Sequence, residues 1–238
     1  MSARDEQRET RQAFAAHGRR GRAGLRLDEP GPLLAGAPIG LTFSIELEGA
    51  ERLYLAIAGD RARQRPAGFV FVATLEGVAA PLIDPAHGLP DLGGPLGLVE
   101  VGADAPWRQP LLLNQFVALE DSRRPIAPGE RRLLHLLCRR SLALGPSEAI
   151  ALDSAEPVAV ELSLSFALER DDAALAALAD RLARTVDEGP IEQREAALLR
   201  LLGMRAAARE PLRALTRHRQ FSVAERARLA LDALESVS

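Results

Sequence analysis

The stretch Val158-Ala159-Val160-Glu161-Leu162-Ser163-Leu164-Ser165-Phe166-Ala167-Leu168-Glu169 is followed by Arg170-Asp171-Asp172-Ala173-Ala174-Leu175-Ala176-Ala177-Leu178, and the rhythm of the chain changes between the two. In the first part Val158, Val160, Leu162, Leu164, Phe166 and Leu168 alternate with smaller or polar residues. That is the period-two pattern of a strand with one buried and one wet face. In the second part Leu175, Leu178, Leu182 and Val186 recur at helical spacing and form one apolar stripe. Asp171 or Asp172 is suited to cap that helix, because a short carboxylate accepts from the first free amides. The chain is therefore expected to be strand-rich before residue 169 and helical after it.

Upstream, Leu41-Thr42-Phe43-Ser44-Ile45-Glu46-Leu47-Glu48 alternates without a fault, and Arg52 to Ala58 repeats the pattern after Gly49-Ala50-Glu51. Phe69 to Leu75 is apolar on both faces, and Val78 to Ile83 is a weaker strand candidate. Asp84 to Trp107 reads as a long Pro- and Gly-rich loop with a short strand at Leu96 to Val101. Leu111 to Leu119 and Arg131 to Leu144 are the next expected strands, joined by a turn at Pro128-Gly129. Arg139-Arg140 interrupts the second of them, and a bulge there would return Leu142 and Leu144 to the inner face. About seven or eight strands with no helix among them predict an antiparallel β-sandwich. Residues 1–23 are charged; Gln7 to His17 is expected to be a short helix or mobile tail that Gly18-Arg19-Arg20-Gly21-Arg22 breaks.

Downstream, Gly189-Pro190 ends the first helix and opens a second that carries Ile191, Leu198, Leu201 and Leu202, with Gly203 suited to its end. Leu212 and Leu215 belong to a third helix, with Pro211 in its first turn. Ser222-Val223-Ala224-Glu225 has the form of a capping box for a fourth. Leu175 and Leu178 recur at Leu212 and Leu215, and Leu199 and Leu202 at Leu231 and Leu234, offsets of 37 and 32 residues that suit helical-hairpin repeats. The expected organisation is an α+β chain: a tail at 1–23, a sandwich at 24–169 and a bundle of about four helices at 170–238.

Composition narrows the function classes. At 47 % hydrophobic and 26 % charged residues, the 238-residue chain is neither a disordered nor a membrane-type sequence. No run approaches the ~18 apolar residues of a spanning helix. A net charge of −3 gives no basic excess for nucleic acid. All thirty basic residues are arginine, which fits a GC-rich bacterial codon bias. The single cysteine, Cys138, cannot form an internal disulfide or a zinc site alone. The first residues have no signal-peptide core, so a cytoplasmic protein is expected if Met1 is the natural start, and an exported one if a leader has been removed.

No phosphate loop, dinucleotide fingerprint, serine-hydrolase elbow or zinc-protease helix motif is present, so no catalytic residue, metal or cofactor is assigned. Asp84, His87 and Asp91 share one loop and could converge on a cation or form an acid–base pair. Trp107, next to Arg108, could be a platform for a ligand or a partner. Arg61, Arg63 and Arg65, with Arg123 and Arg124, could form a basic rim of turns. His135 and Cys138, three apart on a strand, fall on opposite faces and cannot share a ligand.

Asp171–Leu234 resembles HEAT-type helical pairs. Residues 25–168, with Ile126-Ala127-Pro128-Gly129-Glu130 leading into a strand, resemble the immunoglobulin-like sandwich joined to such helices in uncharacterised bacterial proteins. The resemblance implies a non-enzymatic interaction or scaffold module whose partner is another protein or a second copy. Two alternatives stand beside it: a metal-dependent or acid–base hydrolase using the 84–91 loop, and ligand binding at the junction of sandwich and helices.

Overall fold

The structure is a computed structural model that describes residues 6–29, 33–60, 65–86, 94–119, 125–153 and 157–235. Among these, twelve strands and five α-helices give an α+β chain. The strands are β1 (Glu9–Ala16), β2 (Arg19–Leu27), β3 (Leu33–Leu34), β4 (Gly40–Leu47), β5 (Leu53–Asp60), β6 (Arg65–Pro66), β7 (Phe69–Leu75), β8 (Leu96–Val101), β9 (Trp107–Leu112), β10 (Arg131–Leu142), β11 (Leu144–Gly145) and β12 (Val158–Glu169). The helices are α1 (Glu148–Leu152), α2 (Asp172–Glu188), α3 (Ile191–Gly203), α4 (Arg209–Leu215) and α5 (Phe221–Glu235). The chain divides into two compact units. One holds residues 1–30, 40–118 and 133–167; the other holds 31–39, 119–132 and 168–238.

In the first unit β1, β2, β4 and β9 form one antiparallel sheet in that order. A second set runs β12-β10-β7, and a third joins β11, β5 and β6, with β8 also paired to β5. Two residues before β1 the chain touches the second set, where Gln7 and Ser165 exchange two backbone hydrogen bonds of 2.7 and 2.9 Å. The inward rows are those that alternation dictates: Leu41, Phe43, Ile45 and Leu47 of β4, and Val160, Leu162, Leu164, Phe166 and Leu168 of β12, are all buried.

The N-terminal segment corrects the expectation of a tail or helix. Residues 9–27 are a β-hairpin in full register, Ala16 opposite Arg19. Of the supposed breaker, Gly18 is half of the two-residue turn and Arg19 to Arg22 continue as β2; His17 (φ 49°) and Gly18 (φ 74°) both take the left-handed conformation that suits the twist of paired strands. Thr10, Gln12, Phe14 and Ala16 alternate here, but with only one large apolar side chain the period was faint. Arg11 and Arg22 lie on the wet face, paired with Glu9 and Glu48, while Arg19 beside the turn pairs with Glu51.

Other boundaries also move. Val78–Ile83 forms no strand, although the Leu82 amide donates to the Ala73 carbonyl. The ladder around Trp107 ends at Leu112 and tightens into a 3₁₀ turn at Leu113–Gln115, whose first carbonyl accepts from Phe116 and Val117. A helix does occur among the strands: α1, capped by the Ser147 hydroxyl. No bulge occurs at Arg139-Arg140; the β10–β7 ladder runs unbroken from Leu134 opposite Leu75 to Arg140 opposite Phe69.

The second unit is built on small residues. Leu175, Ala179 and Val186 of α2 join Ala197, Leu198 and Leu201 of α3, with Met204, Ala208, Leu212, Ala227 and Leu231, in one core. Alanine at 179, 208 and 227 is wholly buried, which lets helix backbones approach closely. Asp171 caps α2 by accepting from the Ala174 amide at 2.9 Å. Pro211 lies in the first turn of α4 as expected. The capping box misplaces the start of α5, which begins one residue before Ser222. Beyond α3 the left-handed residue is Arg205 (φ 50°), not Gly203. Leu33–Leu34 add a short parallel pairing to Leu168–Glu169. Among the described residues no helix is long and apolar enough to cross a membrane.

Gly21 of β2 tests the hairpin. A β-carbon there would stand 2.6 Å from the Phe14 ring and 2.9 Å from the Glu46 carbonyl oxygen. Gly21→Ala should lower unfolding stability by about 1–3 kcal/mol through overpacking, measured by urea denaturation. A tail or loose helix would leave stability unchanged.

Candidate functional site

Alternation along β10 turns Leu134, Leu136, Cys138, Arg140 and Leu142 to the same buried face. Four of these are ordinary core residues; the other is a cation. Arg140 is only 6 % exposed. Its Cζ lies 4.0 Å from the ring centroid of Phe69, 5.0 Å from Trp107 and 5.4 Å from Phe43. Phe69 stands opposite Arg140 on β7, while Phe43 and Trp107 come from β4 and β9 of the other sheet. The rings brace one another edge-on, with Phe43 5.1 Å from Phe69 and 6.1 Å from Trp107.

The electrostatics of this box are unusual. Nε and Nη1 of Arg140 are sealed from solvent without a hydrogen-bond acceptor, whereas Nη2 is not among the sealed atoms. Burial pushes the guanidinium pKa down to about 10, with a small opposing effect of Cys138. The group stays charged at neutral pH, and holding it so costs folding roughly 3 kcal/mol. Because the folded value lies below the ordinary guanidinium range, this penalty is present below about pH 10 and fades as pH rises above it. Three cation–π contacts, each about 0.5–2 kcal/mol, offset much of that cost.

A second arginine completes the aromatic cluster. Phe69 stacks near Phe71, and Phe71 packs on Phe116 with centroids 4.9 Å apart. The Arg65 guanidinium lies 4.6 Å from the Phe116 ring centroid. Unlike Arg140 it is neutralised: Nη1 and Nη2 donate to the two Asp84 oxygens at 2.9 and 2.8 Å, and Nη1 also donates to the Gln115 carbonyl at 2.7 Å. The Ala86 amide donates to the same carboxylate at 2.9 Å.

Of the residues singled out in the sequence, Asp84 and Arg65 are therefore brought together, as an ion pair. Arg65 is not part of an exposed basic rim, since its side chain is only 7 % exposed. Trp107 is not an open platform: its ring is buried beside Phe43, and Arg108 points the other way into solvent. His87, Asp91, Arg61, Arg63, Arg123 and Arg124 lie outside the described residues. His135 is exposed, with Nδ1 3.0 Å from the Ser165 hydroxyl, and Cys138 faces the core, as their spacing requires. Among the described residues no three His, Cys, Asp or Glu side chains gather as a metal-ligand set. Arg140 was missed as a candidate because a charge at an inward position suggested a bulge. An uninterrupted count of alternation from Leu134 would have placed it in the core.

Burial pushes the Cys138 thiol up to about 12, so fewer than about one molecule in ten thousand carries a thiolate at pH 7.5. Iodoacetamide should leave Cys138 unmodified in the native protein and label it fully in urea, read by mass spectrometry. Rapid native labelling would contradict the inward register of β10. No protein-family model and no curated protein sequence matches the chain.

Proposed function

We propose that the protein is a non-enzymatic interaction module. In this reading the strand-rich unit is an immunoglobulin-like sandwich and the helical unit a set of HEAT-like pairs that binds another protein or a second copy. The edge-on contact of Phe43 with Phe69, between two sheets of the strand-rich unit, supports the first part. The pairwise packing of α2 on α3 and of α4 on α5 supports the second, although α4 has 7 residues against 17 in α2.

The observation that carries the functional reading is a pair of exposed apolar side chains on the helical unit. Ile191 is 80 % exposed at the start of α3, and Phe221 is 71 % exposed at the start of α5. Arg226 donates to Glu195 at 2.7 Å and ties the two helices together. Ile191 stands four residues before Glu195 and Phe221 five residues before Arg226, on the two helices that this ion pair joins. Large apolar side chains left this exposed on linked helices suit a contact site. The hydrolase reading is weakened by Asp84, whose two oxygens are engaged by Arg65 and by the Ala86 amide and so offer little to a reacting proton.

Sedimentation equilibrium and affinity capture test this reading. The wild-type protein should self-associate or retain a defined partner. The double variant Ile191→Asp, Phe221→Asp should weaken that association at least about tenfold with unchanged helicity, since both sites are exposed. A strictly monomeric wild-type protein that retains no partner would overturn the proposal.

A further inference from the structure

The Arg140 box belongs to the strand-rich unit, and what it binds does not depend on the helical unit's partner. A buried polar group without a partner needs an explanation, and one of the standard ones is a ligand. The two fork edges of a guanidinium share Nη2. With Nε and Nη1 both lacking acceptors, each edge therefore presents an unused donor. No carboxylate among the described residues pairs with the group, and its titratable neighbour Cys138 is a neutral thiol at physiological pH. The walls are aromatic carbon: Phe43, Phe69 and Trp107.

We propose that Arg140 anchors a binding site for a small monocarboxylate with an apolar body, its carboxylate accepting from the guanidinium and its body packing against Trp107 and Phe69. One cation calls for one negative charge, and a planar fork matches a carboxylate in two parallel hydrogen bonds. Aromatic walls disfavour a strongly hydrated anion and suit a hydrocarbon tail. Entry is favoured at this place. Trp107 is the first residue of β9 and Phe69 the first of β7, so the covering rings sit at strand starts, where ladders open most easily. Nη2, the atom shared by both edges, is the nitrogen left unsealed.

Trp107 is the chain's sole tryptophan, so its emission reports the site directly. The full-length protein is titrated with hexanoate and with cyclohexanecarboxylate at constant ionic strength, against chloride and inorganic phosphate as controls. Trp107 emission and the thermal midpoint are followed. Both carboxylates should give a saturable change in emission and raise the midpoint, while chloride and phosphate do neither. Arg140→Met should abolish the response and unfold at the same temperature as wild type or a higher one, because a well-packed apolar side chain relieves an unpaired buried charge. Arg140→Lys, which keeps the charge but loses the fork, should bind about tenfold more weakly. If Arg140→Met does not fold, the wild-type titration and Arg140→Lys decide. Silence of the wild-type protein, a response to phosphate alone, or unchanged affinity in either variant would overturn the proposal.

Discussion

The hydrogen-bond ladder between β10 and β7 is the constraint on which the strand-rich unit depends. From Leu134 opposite Leu75 to Arg140 opposite Phe69 the pairing has no interruption, so every second residue of β10 must face the interior. A slip by one position would send Leu134, Leu136 and Cys138 to solvent and bring His135, Leu137 and Arg139 inward. The placements of Leu134, Leu136, Cys138, His135 and Arg139, five favourable ones, thus hold one costly one. Arg140 is buried because its neighbours are, and the aromatic side chains of β4, β7 and β9 are what make the burial tolerable.

The sequence was most legible where one property dominated. β4 and β12 alternate so regularly that no other structure buries their apolar residues, and Leu175 to Val186 can form one face only on a helix. The Asp171 cap was readable for the same reason: one short acceptor stands before free amides. Where two signals competed, the reading failed. In residues 9–27 charge density masked a weak alternation, and Gly18 looked like an interruption when it was a turn. At Ser147 a five-residue helix was too short to show a period.

The candidate site was less legible than the fold, for a related physical reason. Sequence reasoning looks for reactive side chains in loops, and it found Asp84, Arg65 and Trp107 there. Each proved to be occupied in holding the structure together, Asp84 with Arg65 and Trp107 with Phe43. The chemically unsatisfied group lay instead in the middle of a strand. Its character comes from partners more than thirty residues away in sequence, and no local pattern carries that information.

The N-terminal hairpin has a consequence for how the molecule stays dispersed. β1 covers the outer edge of β2, and its own start is tied by Gln7 to Ser165 of β12. Alternate residues along the nine of β2 would otherwise offer free amides and carbonyls to any passing extended chain. Residues 6–18, which look expendable in sequence, thus act as a selvedge: cutting the chain before Arg19 would leave a raw border on the sheet and invite neighbouring molecules to knit onto it.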